Sequence, residues 1–250
     1  MQCPGQDSRY WTGEAIFEAA CDQCGGLVEL FKDEATHTCR GCGHRVLNPR
    51  MDFGCAEYCP YATQCLGELP PSLVAKRQEA IRDRVAVEMK RYFGTDFRRI
   101  GHATRVTRHA EEIGRAIGAN PAVVAIAGYL HDIGIHEAER RHGSTAARYQ
   151  HLEGPPIARR ILEGLGAAPG LVDEVCDIVG HHHHPRPEET RNFQAVYDAD
   201  LIVNLEEKKA ELGAGFRLPD LERIFLTGPG RELGRRILTD SEAGGRTVEA

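Results

Sequence analysis

Two Cys-x-x-Cys-Gly units, Cys21-Asp22-Gln23-Cys24-Gly25 and Cys39-Arg40-Gly41-Cys42-Gly43, stand 14 residues apart near the start of the chain. No other feature limits the folding of this sequence as tightly. The glycines permit positive φ, so each unit can bend its backbone around an ion while amide N–H groups approach the sulfurs. Four thiolates gathered in this way match the tetrahedral site of structural zinc. Between the units, Leu27 to Phe31 reads as a strand, Lys32 to Glu34 as a turn and Thr36 to Thr38 as a return strand. The spacing predicts a small zinc-ribbon-like β-hairpin that closes Cys21, Cys24, Cys39 and Cys42 around zinc. A redox dithiol and an unmetallated loop are the competing readings.

Eight of the nine cysteines fall in the first 65 residues, whereas ten of the twelve histidines follow residue 100. That partition predicts a thiolate-rich module ahead of an imidazole-rich one. The stretch Met1 to Trp11 lacks a basic segment followed by an apolar one, so no secretory signal is expected. No apolar run approaches the ~18 residues of a membrane span. A soluble cytoplasmic protein is therefore expected, and in a reducing compartment clustered cysteines are better read as metal ligands than as disulfides. The remaining group, Cys3, Cys55, Cys59 and Cys65, leaves three readings open: a second zinc, an iron–sulfur cluster, or small core residues. Residues 1–65 carry five Lys/Arg against nine Asp/Glu. A module that neutralises phosphates should be basic, so nucleic-acid binding is disfavoured and a protein contact is expected instead.

Pro70-Pro71-Ser72 marks a boundary. The expected organisation is a cysteine-rich module over 1–70, a linker helix over 71–95 and a mainly α, helical-bundle domain over 96–250. Within the last, the informative residues are polar ones on faces that should be buried, because burying them costs several kcal/mol unless they are paired or metal-bound. His102 extends the stripe of Val106, Ile113 and Ile117, and His109 lies on the same stripe. Asn120-Pro121 starts a helix that is apolar nearly all round and runs into His131-Asp132-Ile133-Gly134. Gly154-Pro155-Pro156 reads as the opening of another helix, with His151 and Glu153 just before it. Leu171, Val175 and Ile178 define a face whose next member is His182, with His181 beside it. Asp200 sits where an apolar residue belongs among Phe193, Val196, Tyr197 and Val203, and Asp198 falls on the opposite side. Cys176, between Val172 and Val179, reads as packing.

The order His102, His131-Asp132, Asp200, with YLHDIGI around the doublet and VYDADLIVNL around the last aspartate, resembles the HD superfamily of metal-dependent phosphohydrolases. The resemblance covers roughly Phe97 to Leu205. It implies that His102, His131, Asp132 and Asp200 hold a first divalent ion (Mn, Mg, Fe, Co, Ni or Zn) and that His151 with His181 or His182 serves a second. Two departures stand out. Ile135 replaces the lysine that many members carry after HDIG, and the segment after the histidine run, His184-Pro185-Arg186-Pro187, lacks the signature of the cyclic-dinucleotide branch.

The expected activity is hydrolysis of a small phosphomonoester or phosphodiester, nucleotide-like in character, by metal-activated water. His131 and Asp132 stand at its centre, His151 is a candidate general acid in a one-metal site, and Arg99 and Arg105 are candidate phosphate clamps. Two alternatives accompany this reading: a di-iron oxygenase on the same fold, and a non-catalytic metal-binding sensor or adaptor.

Overall fold

The computed structural model describes residues 16–51, 53–57, 59, 62–66 and 71–240. The chain divides into two compact units, residues 1–80 and 81–250. The described residues are mainly helical, and the strands among them lie in the first unit.

In the first unit β1 (Ile16–Ala20) pairs antiparallel with β2 (Leu27–Phe31), and β3 (Thr36–Thr38) with β4 (Arg45–Leu47). This corrects the expected single hairpin between the two cysteine units. Each Cys-x-x-Cys-Gly unit is instead the turn of its own hairpin, because a unit that folds back on itself already supplies the reversal that joins two strands. Gly25 and Gly43, at φ 71° and 74°, make the reversal possible. Their amides donate to Cys21 O and Cys39 O, both at 2.8 Å. A small core of Phe17, Val28, Leu30 and Val46 packs with Cys21 and Cys39. Behind it Asn48 is fully buried, and its side chain donates to Phe31 O and Glu34 O while accepting from Arg50 N. A 3-10 turn at Gly54–Glu57 and the short α1 (Ala62–Leu66) follow.

The helix α2 (Pro71–Phe93) crosses the division between the units. Its Ile81, Val85, Met89 and Phe93 recur at helical spacing and lie in the main core of the second unit. Gly94 (φ 58°) ends it, and the Asp96 side chain caps α3 (Phe97–Ile117) by accepting from Arg99 N. Asn120 caps α4 (Pro121–Leu130). There follow α5 (Ile135–His142), α6 (Ala147–Gly164), α7 (Pro169–His181), α8 (Arg191–Leu212), α9 (Leu221–Ile224) and α10 (Gly228–Asp240). At the centre α3 packs against α4 and α8, α4 touches α7 and α8, and α6 lies on α5 and α7.

The helical unit corrects one expectation. The helix expected to open at Gly154 begins at Ala147 and runs through Pro155 and Pro156, so His151 and Glu153 are helical. Each proline removes only its own N–H bond to the carbonyl four residues back. Burial of Ile157, Ala158 and Leu162 in the main core offsets that loss. The Gly228-Pro229-Gly230 segment forms the first turn of α10. Among the described residues no helix is long and apolar enough to cross a membrane.

Candidate metal centre

Four elements converge on one buried cluster. His102 comes from α3, His131 and Asp132 from the turn that ends α4, His182 from the end of α7, and Asp200 from the middle of α8. All five are at least nine-tenths buried. His102 Nε2 lies 3.3 Å from His131 Nε2 and 3.1 Å from Asp200 Oδ1. His131 Nε2 is 3.4 Å from the same carboxylate oxygen.

The outer ring nitrogens decide what the inner ones are. His131 Nδ1 faces Gly128 O at 2.8 Å and His182 Nδ1 faces Val179 O at 3.0 Å. A carbonyl only accepts, so in both rings Nδ1 carries the proton and a neutral ring turns a bare Nε2 lone pair inward. His102 Nδ1 meets the Glu207 carboxylate at 3.0 Å, with the same consequence. Bare nitrogens and carboxylate oxygens at these separations repel one another unless a proton or a metal ion lies among them. His182 Nε2 and His151 Nε2 are buried without any hydrogen-bond partner, an arrangement that a metal ligand explains and ordinary packing does not. The donor set of imidazole nitrogens and carboxylate oxygens suits a divalent transition ion. The residues present fit such a group.

A second triad, His151, His182 and His183, adjoins the first. The two aspartates span both. Asp132 turns Oδ2 toward His102 and His131 (3.9 and 3.8 Å) and Oδ1 toward His182 (3.6 Å). Asp200 turns Oδ1 toward His102 and Oδ2 toward His183 (3.7 Å). Each carboxylate is thus placed to serve two ions.

The electrostatics follow from the same contacts. Burial opposes charge on His131, but Asp132 and Asp200 outweigh it and push the ring up to about 9. Burial also disfavours charge on Asp132 and Asp200, yet the surrounding imidazoles hold both carboxyls well below the usual range. Burial, reinforced by the neighbouring histidines, takes His151 down to about 4 and His183 to about 3. Both shifts favour uncharged rings, as metal ligation requires.

Of the expected clamps, Arg99 stands at the centre, its guanidinium 3.6 Å from Asp132 Oδ2. Arg105 does not: it pairs at 2.5 Å with Glu207, on the outer side of His102. His181 is also directed elsewhere. Its Nδ1 donates to Asp177 O, its Nε2 meets Glu189 Oε1 at 3.0 Å, and its ring stacks on Phe193. His183, unassigned from the sequence, takes the place expected of it. His109 is buried on α3 and belongs to no ligand group among the described residues. Asp198 is likewise buried, not solvent-facing; it accepts from Leu226 N, Thr227 N and Thr227 Oγ1, holding the chain that enters α10.

In the first unit Cys21, Cys24, Cys39 and Cys42 come together. Cys21 Sγ–Cys42 Sγ and Cys24 Sγ–Cys39 Sγ are both 3.7 Å. A disulfide requires about 2.05 Å, whereas a tetrahedron with Zn–S bonds of about 2.3 Å has edges of about 3.8 Å. The amides of Cys42 and Gly41 bring Cys39 down to about 7. Cys42 receives the amide of His44, but the other sulfurs and burial together push it up to about 12. Four thiolates side by side require a cation. Of the other cysteines, Cys59 is partly buried against Ala56, Ala62 and Leu66. Cys3 and the side chains of Cys55 and Cys65 lie outside the described residues.

The helical bundle presents histidines and aspartates to a shared centre that could hold a metal ion. Residues 99–205, the stretch that carries them, match the family model described as HD domain. Two curated proteins named Ribonuclease Y, from two strains of Thermus thermophilus, are each 33% identical over 141 residues, covering 52% of this chain and 21% of the relative. The chain thus spans about a fifth of the length of these curated relatives. A crystal structure at 1.45 Å of a predicted HD superfamily hydrolase from an uncultured Thermotogales bacterium aligns with a TM-score of 0.46 and 20% identity, covering 66% of this chain and 87% of that one.

Proposed function

We propose that the chain is a metal-dependent phosphohydrolase acting on a small phosphomonoester or phosphodiester of nucleotide-like character. The observation that carries this reading is the convergence of three buried imidazole nitrogens, the Nε2 atoms of His102, His131 and His182, on the Asp132 and Asp200 carboxylates. His102, His131, Asp132 and Asp200 would hold one ion; His151, His182 and His183, with the second oxygens of the two aspartates, would hold another. A divalent ion held there supplies Lewis acidity, lowering the pKa of water toward neutrality and polarising a phosphoryl oxygen.

The chain's own residues supply the rest. Arg99 offers a guanidinium beside Asp132 that can pair with a phosphate oxygen and orient the ester. The apolar walls of α3, α4 and α8 exclude bulk water from the ligand cluster and so strengthen its electrostatics. The relatives of the helical segment are named ribonucleases, which adds phosphodiesters to the substrates worth testing. The acidic balance of residues 1–65 speaks against a nucleic-acid grip through the cysteine module, for which we propose structural zinc at Cys21, Cys24, Cys39 and Cys42 and a protein contact. We propose a cytoplasmic location, where a reducing milieu suits clustered cysteines that hold metal.

The deciding experiment compares wild type with Asp132→Ala for elemental content and for hydrolysis of p-nitrophenyl and bis-p-nitrophenyl phosphate with Mn, Co, Ni, Mg, Fe or Zn. Loss of both the helical unit's ions and turnover in the variant is expected. Turnover that survives Asp132→Ala overturns the assignment.

A further inference from the structure

The ligand cluster leaves one buried-side contact unexplained: a carboxylate on the outer face of His102. Glu207 lies two turns beyond Asp200 on α8, so one helix presents Asp200 to His102 Nε2 at 3.1 Å and Glu207 to His102 Nδ1 at 3.0 Å. The ring is held between them. Glu207 is itself fixed. Arg105, three residues after His102 on α3, donates to its Oε1 at 2.5 Å, and Arg98 stands 3.6 Å from its Oε2. The Glu207 side chain is mostly buried, and the position lies two residues past the stretch matched by the family model.

We infer that Glu207 is the positioning residue for the metal ligand His102, fixing its tautomer and ring orientation while Arg105 and Arg98 fix Glu207. The inference rests on the proposed metal centre and adds a residue to it. Its chemistry is specific. His131 and His182 donate their outer N–H to neutral carbonyls, whereas His102 alone of the three donates to a carboxylate. An anionic acceptor draws positive character onto the ring and makes its inner nitrogen the more basic donor. His102 is thereby the strongest imidazole ligand of the first site. Arg105, expected to clamp phosphate, is explained as the partner that holds the Glu207 carboxylate aimed at His102.

The test uses the full chain in three variants, with Mn2+ and Co2+ as probes. Glu207→Leu removes the acceptor, Glu207→Gln keeps an acceptor oxygen without charge, and Glu211→Gln removes a different carboxylate that also pairs with Arg98, at 3.4 Å. Calorimetric titration should show affinity for the first ion falling about 100-fold in Glu207→Leu and about 10-fold in Glu207→Gln, with Glu211→Gln unchanged. Nitrogen NMR of the metal-free protein should find His102 protonated at Nδ1 in wild type and Glu207→Gln, and a mixture of tautomers in Glu207→Leu. Wild-type affinity together with an unchanged tautomer in Glu207→Leu overturns the inference while leaving the metal centre intact. A wild-type chain that takes up neither ion overturns the metal reading, and the inference with it. A loss equal in Glu211→Gln and Glu207→Gln would reduce Glu207 to bracing α3 against α8 and also overturn it.

Discussion

His181, His182 and His183 are chemically identical neighbours with three different fates, and backbone geometry separates them. His182 caps α7 and points its Nε2 at Asp132, His183 turns in beside Asp200, and His181 faces out to Glu189 and Asp177. Replacing His182 or His183 by Ala should lower the ion content of the helical unit, whereas His181→Ala should leave it unchanged and lower only stability, by about 1 kcal/mol for the lost hydrogen bonds. Elemental analysis of the three variants checks this. The burial of His102, Asp200 and His182 was legible because each sits in phase with a buried helical face, and that of His131 and Asp132 because they end a helix apolar nearly all round. His183 was not, since the helical period carries through the cap residue His182, still in the right-handed helical conformation, but has no meaning past it. Asp198 escaped for another reason: α8 is wrapped on more than one side, by α3 and α4 and by α10, so a residue opposite a buried one is buried too.

A pH prediction belongs to the same scale. Burial, then the Arg108 guanidinium, push His109 down to about 4, while the unfolded chain's histidine titrates near 6.5. Between those values the unfolded state holds a proton that the native state refuses, so stability rises with pH through the window. The penalty is absent above about 6.5 and complete below about 4. His109→Leu should therefore flatten the acid limb, by at most about 1.4 kcal/mol per pH unit. Denaturant melts of the two chains from pH 4 to 7 measure the difference. Parallel curves would show that His109 is accommodated in its protonated form.

At the scale of elements, glycines set how closely the ligand-bearing helices approach. A Cβ on Gly134 would lie 2.5 Å from Gly154 N and 2.6 Å from Gln150 O, both backbone atoms that cannot move aside. The glycine of the His-Asp-Ile-Gly turn is thus the seat of α6, and α6 carries His151. Gly134→Ala should cost about 1–3 kcal/mol as an overpacking substitution and should displace His151, so that the ion held by His151, His182 and His183 is lost before the ion held by His102 and Asp200. Metal titration showing two unchanged sites would contradict this account. The register of Gly134 against Gly154 was not readable in advance, because two prolines after Gly154 suggested a helix start where the helix in fact continues. The strand pattern of the first unit misled in a similar way. Leu27–Phe31 and Thr36–Thr38 are strands as expected, but each pairs across its own cysteine turn, and local alternation does not say which neighbour a strand will choose.

For the whole molecule, the two units differ in what holds them together. The second has a continuous core running from Ile81 to Leu238. Among the described residues, the hairpins of the first rest on six buried residues, two of which, Cys21 and Cys39, belong to the four-cysteine group. So small a core does not offset the conformational entropy of its chain, and modules of this size draw their stability from metal or disulfides. Because the sulfurs are spaced for an ion and not for a disulfide, folding of the hairpins should be linked to zinc uptake. Cys39→Ser, or a zinc-selective chelator, should unfold residues 16–51 and leave the helical unit folded with its own ligand cluster assembled. Hydrogen exchange would then show protection lost in β1 to β4 and kept in α3, α4 and α8. Protection lost throughout would mean that the helical core depends on the cysteine site, and protection kept throughout would mean that the hairpins hold without the ion.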